Sequence, residues 1–166
     1  MAGGPILPSS VYLGGASGNL SSTFFISGAG TTVANSAIEG VGVVQSLGAD
    51  SACVLQFNLP ESLPPGTLKL RMLAWANATT GNAIYTVADG GTAPAANIAN
   101  TTLTTDASAV SFSFPGTANL INEVTKLALT GTGQVANNIF TVVVTFNTAS
   151  WTLAATSVWQ FSLVWE

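Results

Sequence analysis

From position 67 the chain alternates. Leu68, Leu70, Met72 and Ala74 fall on one side of an extended backbone and Thr67, Lys69, Arg71 and Leu73 on the other, which predicts a strand over 67–76 with one buried face. The same period of two sets Val110, Phe112 and Phe114 against Ser111 and Ser113, and Phe140, Val142, Val144 and Phe146 against Thr141, Val143 and Thr145. It is strongest at the end, where Trp159, Phe161, Leu163 and Trp165 alternate with Gln160, Ser162 and Val164. That last strand is expected at the centre of a sheet. Further short strands are expected over 23–26, 31–34, 41–47 and 52–59, and 122–129 reads as strand rather than helix because of Val124, Thr125 and its Thr-Gly-Thr-Gly exit.

Turn residues punctuate these segments, most clearly the run from Pro60 to Gly66 and the pair Pro115-Gly116. The least regular stretch is 77–108, rich in Asn, Thr, Ala and Gly. It is expected to form a long connection or projecting loop, with short strands at most over 84–87 and 101–104. Eight to ten short strands separated by turns predict an all-β fold, an antiparallel β-sandwich and most economically a jelly roll. No repeat of solenoid or propeller period is visible.

The first twenty-two residues carry Gly3, Gly4, Pro5, Pro8, Gly14, Gly15 and Gly18 around short apolar groups. This punctuation opposes a helix and predicts an extended N-terminal arm over 1–22, followed by a single sandwich domain over 23–166. Ile6, Leu7, Val11, Tyr12 and Leu13 are the residues by which such an arm would anchor in apolar pockets.

Charge changes the picture most. The 166 residues carry three cations (Lys69, Arg71 and Lys126), seven acids and no histidine, for a formal charge of −4. Binding to a nucleic-acid backbone needs clustered Lys or Arg, so no nucleic-acid partner is expected. Hydrophobic residues make up 48% of the chain, yet no run approaches the ~20 apolar residues of a membrane-spanning helix, and the strands are too short and uneven for an outer-membrane barrel. No membrane partner is expected. Residues 1–8 have neither a basic region nor an apolar core of secretory type, so synthesis in a cytoplasm is expected. Low charge density on a strand-rich chain predicts a surface largely covered in the working state.

Little chemistry is foreseen. The acids are dispersed in sequence, and Glu61, Asp89 and Asp106 lie near Gly or Pro turns where solvated capping is the ordinary role, so an acid/base hydrolase is not expected. A Ser, Thr or Cys53 nucleophile would lack a histidine, leaving Lys69 or Lys126 as the conceivable base, and Cys53 sits in an apolar run as a small buried hydrophobe. Zinc is disfavoured by one cysteine and no histidine. Around Asp89-Gly90-Gly91-Thr92 a strong calcium site is not expected, although a weak subunit-bridging site built on carbonyls stays open. No cofactor is expected. Sequons at Asn19, Asn77 and Asn100 fit chance in a chain so rich in Asn, Ser and Thr.

The four tryptophans divide. Trp159 and Trp165 share the phase of Phe161 and Leu163 and are expected in the core. Trp75 and Trp151 stand nearer strand ends and are the candidates for ligand or subunit contact.

The run Leu59-Pro60 through Pro65-Gly66-Thr67-Leu68-Lys69-Leu70-Arg71, then Ala74-Trp75-Ala76-Asn77-Ala78-Thr79-Thr80-Gly81, resembles a loosely defined group of bacteriophage and environmental-virus structural proteins. The closing stretches from Thr145 to Ala154 and from Trp159 to Glu166 are similar to the same group, so the likeness runs from Leu55 to the end. This resemblance implies a virion component without catalytic residues. The less charged middle, around 82–106, departs from the group's pattern.

Together these features predict a non-enzymatic structural protein of a tailed-phage virion, made in the host cytoplasm. A capsid decoration or cement protein fits best, a homotrimer that meets the major capsid protein or other virion subunits and grips its neighbours with the arm. The alternatives are a tail-tip or fibre module that binds carbohydrate through Trp75, Trp151 and the Asn-rich loop, and a filament subunit that donates its N-terminal segment as a strand.

Overall fold

The computed structural model describes residues 11–12, 21–22, 24–27, 45–47, 52–76, 80–96, 101–118, 120–146, 152 and 157–166. Among them there are strands and turns and no α-helix. The strands are β1 (Val11–Tyr12), β2 (Ser21–Ser22), β3 (Phe24–Ser27), β4 (Gln45–Leu47), β5 (Ala52–Asn58), β6 (Leu68–Ala76), β7 (Asn82–Thr92), β8 (Thr104–Ser113), β9 (Asn122–Ala128), β10 (Ile139–Phe146) and β11 (Ser157–Trp165).

Two antiparallel sheets carry the core. One has the order β3-β5-β10-β7-β8 and the other β4-β11-β6-β9. The alternation read in the sequence is the packing rule. Leu68, Leu70, Met72 and Ala74 of β6, Phe140, Val142, Val144 and Phe146 of β10, and Trp159, Phe161, Leu163 and Trp165 of β11 meet in one buried cluster with Leu55 and Phe57 of β5. Strand β11 is central as expected, paired with β4 on one side and along its whole length with β6 on the other.

Trp159, with Trp165 one of two tryptophans in that cluster, holds the two sheets together. Its ring lies edge-on to Tyr85, Phe112 and Phe114 and tilted against Phe146, with centroids 4.6 to 6.5 Å away, all on the opposite sheet or just beyond it. The indole N–H is not stranded by burial, because it donates to Ser157 Oγ at 2.9 Å.

The stretch expected as a loop contains the longest strand. Strand β7 runs from Asn82 to Thr92 between β10 and β8, so 77–108 is not a projecting loop. Its inner face is Ala83, Tyr85, Val87, Asp89 and Gly91, where small and polar residues blunt the apolar alternation. Strand β10 supplies the large side chains beside them, which is why β7 can face the core with so little hydrophobic bulk. The segment 122–129 is strand, as its β-branched residues suggested.

Val11 and Tyr12 pair antiparallel with Ser22 and Ser21. Part of the segment expected as an extended arm therefore forms a short ladder within its own chain. Ile6, Leu7, Leu13 and the strand expected over 31–34 lie outside the described residues, and of 41–47 only Gln45–Leu47 is described, as β4.

Candidate functional site

Three features of the described surface and interior carry chemistry: a carboxyl pair with buried oxygens, an ion-pair network, and apolar residues exposed at the edges of two strands. The first was not foreseen. Asp89 falls on the inner parity of β7, after Ala83, Tyr85 and Val87, and is 0% exposed. Across the strands it stands opposite Val142 of β10 and Thr104 of β8. Strand β8 is bulged here: Val87 faces Ala107 and Ala88 faces Thr105, so Asp106 is the extra residue with no partner on β7. The bulge brings the Asp106 carboxyl to Asp89. The expectation that both acids are dispersed, solvated turn residues is thus overturned for Asp89, because the strand running through the Gly-rich stretch carries its side chain inward.

Asp106 Oδ1 accepts two hydrogen bonds from Thr130, 2.9 Å from the backbone N–H and 2.6 Å from the hydroxyl. Its Oδ2 and both oxygens of Asp89 are buried with no donor. Burial first, and the neighbouring Asp106 second, push the Asp89 carboxyl up to about 7 from the usual carboxylate range, while the backbone of Gly131 opposes the shift.

The turn that closes this corner is fixed by close backbone approach. Gly91 N–H donates to Thr132 carbonyl at 2.7 Å, and Gln134 Nε2 donates to the carbonyls of Leu129 and Gly131. A methyl group at Gly131 would overlap Asp89 Oδ1, and one at Gly133, which has a φ of +86°, would meet the Gly91 backbone. Among the described residues no three of His, Cys, Asp and Glu gather where they could hold a metal ion, and the pair supplies two carboxylates only.

The ion pairs sit on the outward face of the four-stranded sheet. Glu166 takes Lys126 at 2.7 Å and Lys69 at 3.2 Å, and Glu123 takes the Arg71 Nε at 2.7 Å. These are all three cations of the chain: Lys69 and Arg71 on the face of β6 that the alternation assigned them, and Lys126 on β9, paired in the ladder with Arg71. The two lysines hold the Glu166 carboxyl below its usual range, and Glu166 in turn raises Lys126. Each pair is exposed, so solvent and salt screen the network and it adds little to stability. Its larger consequence is that no cation is left for Asp89 or Asp106.

Edge strands β8 and β9 lie on the same side of the sandwich and touch each other. Val110 pairs with the inward-facing Tyr85, so it lies on the inner side of the sheet, yet it stays 38% exposed at the rim. Leu120 and Ile121, which lead into β9, are 48% and 53% exposed. Apolar side chains are thus left exposed at the β8 edge and at the entry to β9, while Ala107, Phe112, Val124 and Leu127 of the same strands pack against the core. Upstream in β8 a second irregularity places Ser108 and Ala109 opposite Thr86; Ala109 has a φ of 50° and donates its N–H to Thr86 Oγ1 at 3.1 Å.

Trp75 does not serve as an open contact. It lies on the outward parity of β6 with Lys69, Arg71 and Leu73, yet it is 2% exposed, so neither a sugar nor a second subunit reaches its indole. Trp151 lies outside the described residues. Its neighbour Thr152 is tied to the start of β7 by a reciprocal pair of hydrogen bonds with the Asn82 backbone, at 3.0 and 3.1 Å. For Val11 and Tyr12 the description extends to their backbone pairing. Compared with protein-family models, curated proteins and solved structures, the chain matches none.

Proposed function

We propose that this chain is a non-enzymatic structural protein of a virion, a decoration or cement subunit that works as a homotrimer. The observation that carries this reading is the exposure of Val110 on β8 and of Leu120 and Ile121 at the entry to β9, a seam of apolar side chains on a molecule whose three cations are all engaged with its own acids. The occupant is the N-terminal segment of a second copy, whose Ile6, Leu7, Val11, Tyr12 and Leu13 supply the apolar side chains that Val110, Leu120 and Ile121 lack. Closed rotational symmetry repeats this contact around the ring. The likeness of 55–166 to phage and environmental-virus structural proteins points the same way.

Strand order supports a jelly roll. From β4 to β11, the antiparallel pairs β4 with β11, β5 with β10, β6 with β9 and β7 with β8 are the successive rungs of one long folded ribbon, split between two sheets. That architecture occurs in viral capsid and lectin domains. The sealing of Asp89 from solvent supports the non-enzymatic reading, because no substrate reaches its carboxyl.

Replacing Val110 and Ile121 by lysine tests the seam. Both positions are exposed, so the melting temperature should stay close to that of the parent, while the desolvation of two charges should weaken association at least about 100-fold. Light scattering should then find monomer in place of trimer. For the parent protein, association should survive ~1 M NaCl, since apolar and main-chain contacts are not screened. A doubly substituted protein that keeps the parent mass excludes the seam as the contact.

A further inference from the structure

The Asp89–Asp106 pair has no place in that assembly, and it stands at a corner where three elements meet: β7, the bulge of β8, and the turn over 129–133. We propose that the two carboxyls share one proton and so form a latch, which pins β8 and the turn to β7 when the proton is present and releases that corner when it is lost.

The geometry leaves the proton a single place. Asp106 Oδ1 is already engaged by both donors of Thr130, so Oδ2 is its buried oxygen without a donor and the one free to accept. Neither carboxylate brings a hydrogen of its own. One proton taken from solvent makes Asp89 the donor and Asp106 Oδ2 the acceptor, and the pair then carries one negative charge instead of two. Losing that proton to solvent leaves buried oxygens of both carboxyls with no donor between them.

Among the described residues no other charged group intervenes. On β7 itself the inward neighbours are Val87 and Gly91, with Tyr85 one step beyond Val87. Tyr85 is held neutral, because its burial raises the phenol further, against the opposing hydrogen bond of Thr125. From β10 the facing residue is Val142, and from β8 the titratable residue is Asp106 alone. The turn brings Thr130, Gly131 and Thr132. On β9, Val124 and Leu127 pack toward the core, while Glu123 and Lys126 are taken up by the surface pairs.

The sign of the effect follows from linkage. The folded protein holds the Asp89 proton up to about pH 7, whereas an unfolded aspartate releases it near 3.8. The stabilisation is therefore fully present below about pH 4 and is lost as pH rises through about 7. Lost stability should first appear as local opening, because the amide N–H of Thr130 bonds to Asp106 and that of Gly91 to the same turn.

Amide hydrogen exchange on the full chain, corrected for intrinsic rates, tests the latch at pH 5.5 and pH 8.5. Protection of Gly91, Thr130 and the amides of 104–107 should fall at least tenfold at the higher pH, while Leu70 and Leu163 keep theirs. Asp89→Asn, a neutral isostere that still donates to Asp106, should hold the corner protected at both pH values. Unchanged protection in the parent overturns the proposal. Should Asp89→Asn fail to fold, carbon-detected NMR titration of the parent decides: an Asp89 carboxyl with a midpoint between 6 and 8 upholds it, and a midpoint below 5 overturns it. If millimolar calcium at pH 8.5 restores protection in the parent and not in Asp89→Asn, the pair is a cation site and the proton latch is wrong.

Discussion

Trp159→Ala will lower the stability of the fold by about 3–5 kcal/mol, read as a shift of the denaturation midpoint by far-ultraviolet circular dichroism. The indole is 0% exposed and touches four aromatic rings across the sandwich, so its removal leaves a cavity between the sheets rather than a dent in one of them. A domain of this size has on the order of 5–15 kcal/mol to lose, so the variant will sit close to its unfolding limit. Phe112 and Phe114, two of the four rings, lead the chain away from the apolar seam, and their loosening should weaken association as well. Trp159→Phe separates the two contributions: it keeps most of the volume, loses the bond to Ser157 Oγ and should cost about 1–2 kcal/mol. If Trp159→Ala unfolds at the parent's denaturant concentration, the indole is not what joins the two sheets.

Gly133→Ala is the second large effect expected. The residue has a φ of +86°, which an L side chain adopts at a cost, and its Cβ would lie 2.6 to 2.8 Å from the backbone of Gly91. Backbone on both sides cannot yield as a flexible side chain does. A loss of about 2–4 kcal/mol is expected, together with faster exchange of the Gly91 amide, which is bonded to Thr132. By contrast Gly66→Ala, also at positive φ (119°), lies at a strand end against Glu166 and should disturb the ends of β6 and β11 without touching the acidic corner. Equal stability of Gly133→Ala and the parent would mean that the turn does not press on β7.

How much of this was legible follows from side-chain size. Strands β6, β10 and β11 alternate large apolar residues with polar ones, so both their existence and their inward faces could be read directly. Strand β7 obeys the same period, but its inward set of Ala83, Tyr85, Val87, Asp89 and Gly91 includes two very small residues and an acid, which removes the contrast on which the period depends. The carboxyl pair was hidden one level deeper. In a regular ladder Asp106 would have a partner on β7, and the bulge that leaves it without one is a property of the pairing, not of the residues of β8 taken alone. Trp75 shows the converse: its place near a strand end made it a candidate for ligand or subunit contact, yet it is buried.

The two resolved carboxylate effects oppose each other along the pH scale. Asp89, raised by burial, favours the folded state at low pH and loses that contribution toward about 7. Glu166, lowered by its two lysines, favours it above the ordinary glutamate range and loses that contribution on acidification. The surface member is screened by solvent and salt, so the buried member should dominate the slope on the neutral side.

An assembly subunit is distinguished from a free module by its mass in solution. Light scattering on the full chain should give a trimer that persists in ~1 M NaCl and falls to monomer when Val110 and Ile121 are both lysine. A monomer for the parent at every concentration, or open-ended growth in place of a closed trimer, would contradict that assembly.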